Sequence, residues 1–328
     1  MRAAICPCHG PPEVVQVQER AVAAAGPGQI GVRVKAAAVN FPDVLLVAGT
    51  YQVTVPTPFV PGSEFGGVVD EIGPDTSGFA VGDRVTGTAM FGAFAERVVV
   101  DAASLALIPR GVDLRAAAAF GVAHRTAYHT LRSAARLSAG DELVVLGAGG
   151  GVGLAAVQLG VALGAHVTAV ASSAEKLDVA GQYGATRLIN YTTDDLRAAL
   201  RSALPDGADI VIDPVGGDLS ESALRSLGRG GRFVTVGFAS GTIPRIPLNL
   251  VLIKGIQVLG FQFQDVPSDE FHRNERELRE LLVTGHVHPH VGAVFSLDET
   301  AAALRHVADG RAIGKVLIDL RAETSWPG

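Results

Sequence analysis

Four short stretches of the chain carry side chains that could do chemistry. Residues 61–67 read Pro-Gly-Ser-Glu-Phe-Gly-Gly, which sets the acid Glu64 between glycines in an otherwise apolar neighbourhood, where a carboxylate could serve a metal. Just upstream, Val39-Asn40-Phe41-Pro42-Asp43 offers an amide and a second acid. Near the start, Cys6-Pro7-Cys8-His9 has the residue types of a metal clip. Two thiols one residue apart beside a lone His do not close a tetrahedral site, so these cysteines are read as small apolar residues at the end of a first strand. His286, His288 and His290 alternate, but Pro289 interrupts them and no thiol or carboxylate accompanies them; they are read as a polar turn.

A fifth stretch is the most informative. An apolar run, Glu142 to Leu146, leads into Gly147-Ala148-Gly149-Gly150-Gly151-Val152-Gly153, and Leu154 to Leu163 continues as an apolar helix. Between a buried strand and a helix start, three backbone needs converge: Gly147 for a tight turn, Gly150 for close approach of a pyrophosphate, Gly153 for close packing of helix on sheet. The spacing is Gly-x-x-Gly-x-x-Gly, with Ala148 where the usual fingerprint has its first glycine. Gly151 and Val152 complete the cofactor-facing part of the turn, and the N-terminus of the helix that follows offers unpaired N–H donors and a positive dipole end that suit phosphate. The next strand ends Val170-Ala171-Ser172-Ser173-Ala174-Glu175-Lys176, with no acid at its tip to hold a ribose diol and select NAD. Ser172 can donate to a 2′-phosphate and Lys176 can supply charge, with Tyr191 a third candidate, so NADPH is expected over NADH.

Composition agrees with a dinucleotide enzyme. A chain of 328 residues suits two domains, at about 150 residues each. Nearly half the residues are hydrophobic and 40 are glycine, which favours buried parallel strands and tight turns. A net charge of −6 sets aside nucleic acid and anionic membrane, since no basic stripe is present. With two cysteines, both in the first ten residues, no disulfide framework can be drawn and a cytoplasmic protein is expected. No signal peptide is read at the N-terminus. Leu143 to Ala171 carries no charge and is long enough to cross a bilayer, but its glycine run breaks a helix, and strand, turn, helix, strand explains it better.

The elements that must position these residues fall into three parts. Residues 1–118 are β-rich, with short Val-rich runs at Gly31 to Val39, Phe65 to Ile72, Asp83 to Thr88 and Glu96 to Val100. Residues 119–265 alternate strand and helix, with strands at 142–146, 166–170, 187–190, 209–213, 232–237 and 256–260, the pattern of a doubly wound parallel sheet. In residues 266–328 a polar helix, 268–284, precedes strands at 289–297 and 315–320 that return to the first domain.

Over nearly its whole length the chain resembles the medium-chain dehydrogenase/reductase superfamily, and within it the zinc-free quinone oxidoreductases related to zeta-crystallin. The stretches that carry the resemblance include VKAAAVNFPDVLLVAGTY (34–51), PFVPGSEFGGVVDEIG (58–73), VGDRV (81–85), RTAYHTL (125–131), GAGGGVGLAAVQL (147–159), DPVGGDL (213–219), GGRFVTVGFASG (230–241), IPLNL (246–250) and GKVLID (314–319). It implies an irregular, GroES-like β-barrel catalytic domain beside a Rossmann domain, and a homodimer paired through the open edge of the sixth strand. Zinc members hold their metal with a Cys near 40, Gly-His-Glu at 62–64 and a Cys near 122; here Asn40, Ser63 and Val122 stand in those places and only Glu64 remains. The resemblance places Asn40, Asp43 and Tyr51 near the nicotinamide as the catalytic group. Thr126 would line the same pocket, and Phe238, Ser240, Phe261 and Phe263 complete the cofactor set. His124-Arg125 departs from the smaller or aromatic pair of the family.

Without a Lewis acid, an alkoxide formed from an isolated carbonyl is poorly stabilised, whereas a quinone or conjugated enone spreads the charge of the incoming hydride. The expected reaction is therefore zinc-independent, NADPH-dependent reduction of a small quinone or α,β-unsaturated carbonyl. An enoyl-thioester reductase is the runner-up, with Arg125 and Arg245 available for a carrier phosphate. An NADPH-binding protein with little turnover is the alternative of a different class.

Overall fold

The computed structural model describes residues 1–321. Contacts divide the chain into a first unit, Met1–Val122 joined by the segment from Pro289 onward, and a second unit, Ala123–His288. These crossings lie later than the 118/119 and 265/266 boundaries drawn from the sequence. The alanine-rich helix before the first crossing packs on first-unit strands, and the polar helix before the second packs on a second-unit helix.

In the first unit β1 (Arg2–Ile5), the first strand expected to end near Cys6, pairs antiparallel with β2 (Gln16–Glu19), which the sequence reading left unassigned. The long β3 (Gln29–Val39) is followed at once by α1 (Phe41–Ala48), also unassigned from sequence. Pro42 in its first turn and Gly49 at φ +70° set its two ends. Then come β4 (Glu64–Ile72), β5 (Arg84–Thr88), β6 (Arg97–Asp101), β7 (Leu105–Leu107) and α2 (Leu114–Phe120). β4 pairs antiparallel with β3 and with β5. Phe65, Phe94, Ile30, Val32 and Val85 fill the interior at 0% exposure. α2 lies close over the sheet because β4 has no side chain beneath it: a Cβ at Gly66 would come within 3.0 Å of the Leu114 carbonyl oxygen.

The second unit opens with α3 (Ala123–His129), which continues into a π-helical turn, Thr130–Ala134. Six strands follow: β8 (Glu142–Leu146), β9 (His166–Ala171), β10 (Arg187–Asn190), β11 (Ala208–Asp213), β12 (Leu227–Thr235) and β13 (Gln257–Gly260). They pair in parallel in the order β10-β9-β8-β11-β12-β13. The order reverses between β8 and β11, which puts a ligand crevice at the carboxyl ends of those two strands. Helices α4 (Gly151–Ala162), α5 (Ala174–Gln182), α6 (Leu196–Ala203), α7 (Asp218–Ser226) and α8 (Leu248–Lys254) connect successive strands, and α9 (Ser268–Val283) packs on α3. The uncharged stretch from 143 to 171 is β8, a turn, α4 and β9, as expected. No helix among the described residues is long and apolar enough to cross a membrane.

On return to the first unit, β14 (Val291–Ser296) and β15 (Lys315–Asp319) flank α10 (Thr300–Ala308). β15 pairs antiparallel with the end of β3, Val316 opposite Val39 and Ala38 opposite Leu317. Ala36, Ala37 and Ala38 are all at 0% exposure, because small residues let strands and α2 approach closely there.

One buried charge organises the turn after β11. Asp213, at 0% exposure, accepts from the backbone N–H groups of Val215 and Gly216 at 2.8 Å each and from Ser220 Oγ at 2.5 Å. Asp213→Ala leaves these donors unpaired, and we expect a stability loss of about 2–4 kcal/mol in urea denaturation, with Asp213→Asn losing less.

Candidate active site

The second unit offers a nucleotide cradle. Gly147 ends β8 at φ +60°, where its Cβ would meet Val215 Cγ2 at 2.7 Å, so the turns after β8 and β11 touch at the switch point. Gly150 is the N-cap of α4 and its N–H closes the turn onto the Gly147 carbonyl at 2.9 Å. A Cβ at Gly150 would meet only that carbonyl, at 3.4 Å, so the face a phosphate would approach is open. A Cβ at Gly153 would fall 2.1 Å from the same oxygen, so the helix can seat there only with glycine. The first N–H groups of α4, at Gly151, Val152 and Gly153, have no intrahelical acceptor and converge beside this opening.

Next along the carboxyl edge, Lys176 Nζ donates to Ser172 Oγ at 3.0 Å, and the Tyr191 N–H donates to Ala171 O at 3.1 Å, which brings all three residues proposed for a 2′-phosphate to the ends of β9 and β10. The partly buried ammonium of Lys176 has its pKa lowered by desolvation, and a bound anion would offset that cost. The Lys176 stem lies over Gly149, where a Cβ would sit 2.5 Å from Lys176 Cβ. Phe238 and Ser240 fold back on the turn after β11: the Ser240 N–H donates to Val215 O at 2.9 Å, and a Cβ at Gly217 would meet Ser240 Oγ at 2.9 Å. Thr126 lies on α3. Phe261 and Phe263 have their rings near the buried His129, at centroid distances of 6.5 and 5.6 Å. Arg125 is held by Glu275 at 2.9 Å and lies over the Phe263 and Phe271 rings.

The first unit holds a buried polar cluster that the sequence reading only half saw. Asn40, 7% exposed, follows β3 as the N-cap of α1; Glu64, 0% exposed, opens β4; Lys315, 3% exposed, opens β15. Lys315 Nζ donates to Asn40 Oδ1 at 2.5 Å and to Glu64 Oε2 at 3.0 Å. Asn40 Nδ2 donates to Glu64 Oε2 at 3.2 Å and to Ser63 Oγ at 3.3 Å, and Glu64 Oε1 accepts the Val122 N–H at 2.7 Å. Of the four positions that the resemblance matches to metal donors, Asn40 and Glu64 bind the Lys315 ammonium directly, while Ser63 accepts from Asn40 and the Val122 N–H donates to Glu64. They do not fit zinc: the one remaining carboxylate is already engaged, and a second cation would be repelled. Among the described residues no three His, Cys, Asp or Glu side chains gather as a metal site.

In the sequence Lys315 shows only as the charge that opens a largely apolar strand, and nothing there names its partners. Asp43 Oδ2 accepts the Asn40 N–H at 2.7 Å, while Oδ1 is buried without a partner. Asp43 is fully buried and so does not itself face solvent. Tyr51 packs its ring against the first-unit core. At the N-terminus Cys6 is buried and its thiol is pushed up to about 11, mainly by burial, while Cys8 is exposed. His286 bonds Thr284 Oγ1 at 2.7 Å and His288 pairs with Tyr183 at 3.4 Å, in irregular chain rather than on a strand.

Comparison with known proteins agrees with this architecture. Residues 26–110 match the alcohol dehydrogenase GroES-like domain, and residues 151–280 match the family described as zinc-binding dehydrogenase. Quinone oxidoreductase-like protein 2 of Mus musculus is 38% identical over 327 residues, covering 98% of this chain and 92% of that protein. The chain belongs to the medium-chain dehydrogenase/reductase superfamily, among its quinone oxidoreductase-like members. The first unit is accordingly its GroES-like domain and the second its Rossmann domain. Two solved members share the fold at a TM-score of 0.90. Escherichia coli quinone oxidoreductase complexed with NADPH is 28% identical, covering 97% of this chain and 100% of that one. An NAD-dependent alcohol dehydrogenase is 31% identical, covering 98% and 100%.

Burial pushes the Asp43 carboxyl up to about 7; Glu64 adds to the rise, while the Asn40 N–H, Ser63 and Lys315 oppose it. The folded state therefore holds a proton that the unfolded chain, with an ordinary value of 3.8, has released. The resulting contribution is greatest below the unfolded value and is lost as pH rises through the folded one. Asp43→Asn keeps an acceptor for the Asn40 N–H and cannot ionise. Its melting temperature is expected to change less than the wild type's between about pH 4 and pH 8.

Proposed function

We propose that the chain is an NADPH-dependent oxidoreductase that reduces quinones or α,β-unsaturated carbonyls without zinc. The observation that carries this reading is the Lys315–Glu64–Asn40 cluster, in which an ammonium, a carboxylate and an amide neutralise one another where zinc relatives hold metal donors. An acceptor whose own conjugation spreads the charge of an added hydride suits such a site. NADPH supplies the hydride when bound. The chain's residues then have three tasks: the α4 N-terminus and glycine turn hold the pyrophosphate, Ser172 and Lys176 hold the 2′-phosphate, and Asn40 and Tyr51 align the reacting groups. A lysine–serine pair at the tip of β9, in place of an acid, supports NADPH over NADH.

The enoyl-thioester alternative loses one of its two arginines, because Glu275 and two phenylalanine rings already occupy Arg125. Homodimerisation is supported by the edge strand β13, which among the described residues pairs only with β12. Beside it in the sequence, α8 exposes Leu248, Leu252 and Ile253 at 75, 84 and 63%. Such an apolar edge is ordinarily covered by a second chain.

NADPH consumption with 1,4-benzoquinone, an alkenal and crotonyl-CoA, measured side by side, is expected to be fastest with one of the first two and insensitive to a zinc chelator. Preference for crotonyl-CoA moves the assignment to thioesters, and tight NADPH binding with no consumption moves it to a binding protein. Lys176→Ala should weaken NADPH binding about tenfold while leaving NADH affinity nearly unchanged. Light scattering should give twice the chain mass for the wild type and the single chain mass for Leu252→Asp.

A further inference from the structure

We infer that Lys315 is a positioning residue for this reduction, its ammonium setting the orientation of the Asn40 carboxamide and holding Glu64 against the segment where the chain leaves the first unit. The inference rests on the NADPH-dependent reading above.

The geometry is a closed triangle drawn from three elements. Lys315 Nζ reaches Asn40 Oδ1 at 2.5 Å and Glu64 Oε2 at 3.0 Å, and Asn40 Nδ2 returns to Glu64 Oε2 at 3.2 Å. The lysine and glutamate side chains are 4% and 0% exposed, so water does not compete for these contacts. An amide has two orientations that differ only by exchange of oxygen and nitrogen. Here one of them is excluded by charge, since a flipped Asn40 would aim its NH2 at the ammonium and its oxygen at the carboxylate. Lys315 and Glu64 together thus decide which end of the amide faces which way. Without the lysine, Glu64 alone would still accept from Nδ2, but Oδ1 would lose its charged donor.

The same pair is tied to the two places where the chain crosses between units. Glu64 Oε1 accepts the N–H of Val122, the last residue before the exit, at 2.7 Å. The Lys315 N–H donates to the carbonyl of His290, one residue past the return, at 2.7 Å. A Cβ at Gly314 would sit 2.3 Å from that carbonyl, which accounts for glycine before the lysine. Burying an ammonium at a strand end costs desolvation that an apolar residue would avoid, so a buried ion pair is poorly explained by stability alone. A requirement for one fixed arrangement of the amide does explain it.

The test uses Lys315→Met, Asn40→Ala, their double variant, and the charge-neutral pair Lys315→Met/Glu64→Gln, which avoids a lone buried carboxylate. Thermal melts report folding. The readouts are kcat and KM with NADPH and 1,4-benzoquinone, and the emission of bound NADPH, which needs no turnover. Lys315→Met is expected to lower kcat about tenfold or more, with a smaller change in KM. Its bound-NADPH emission should shift toward that of Asn40→Ala, and the double variant should be no worse than Asn40→Ala within about twofold. If Lys315→Met does not fold, the neutral pair carries the same expectations. The inference is overturned if a folded Lys315 variant matches wild type in kcat and emission, if the losses of Lys315→Met and Asn40→Ala multiply, or if neither Lys315 variant folds, which would assign the lysine to folding alone. A wild type that binds no NADPH removes the cofactor reading first, and this inference with it. A wild type that binds NADPH and reduces the quinone, beside unaffected Lys315 variants, removes this inference only.

Discussion

The closeness of α4 to the strand that precedes it is the constraint on which the second unit depends. With a Cβ at Gly153 only 2.1 Å from the Gly147 carbonyl oxygen, the helix can rise directly off β8 only where no side chain intervenes. That approach aims the helix N-terminus at the carboxyl edge of the sheet, where the order of strands reverses. Ser172, Lys176, Tyr191, Phe238 and Ser240 are placed along the same edge by the strands they follow, and Lys176 and Ser172 then bond to each other there. The glycine turn thus sets where a phosphate can sit, and the neighbouring strand ends determine what surrounds it.

Buried charge is handled in two ways in this molecule. Asp213 is satisfied locally, by two N–H groups of the turn that follows it and one serine on the next helix. Glu64 instead draws its partners from the N-cap of α1, the start of β15 and the exit segment. The first solution stabilises a turn, whereas the second ties distant parts of the chain to a single carboxylate. The question Glu64 poses in the sequence, what such an acid serves in the absence of metal ligands, has a structural answer: it is the counter-ion of an internal cation.

The difference between those two solutions also governs how much could be read from sequence. β8 and β10 have the bounds expected, since fully buried parallel strands show as short apolar runs between turns. β12 begins at Leu227 rather than Arg232, because Leu227 pairs with Ala208 across an irregularity in register, and glycines at 228, 230 and 231 hid that pairing. The short β2 carries too little pattern to register, and α1 was masked by Pro42, which reads as a breaker but sits where a first helical turn tolerates it. Within the site, the glycine turn and the Ser172–Lys176 pair were legible because each is a local arrangement. Lys315 was not, since its partners Glu64 and Asn40 lie 251 and 275 residues away along the chain. Phe261 and Phe263 were placed with the cofactor by resemblance, and the approach of their rings to His129 is a contact of the same non-local kind that the sequence did not show.

Gly149 belongs to none of the three roles usually given to a phosphate-binding turn, yet a methyl group there would collide with the stem of Lys176. The turn and the cation beyond the next strand therefore occupy one shared volume. A change of side chain at 176 alters the room left for residue 149, and a bulkier 149 would displace the Lys176 stem. In this chain, therefore, neither position can be substituted freely while the other stays as it is, and the two are a pair to be rewritten together.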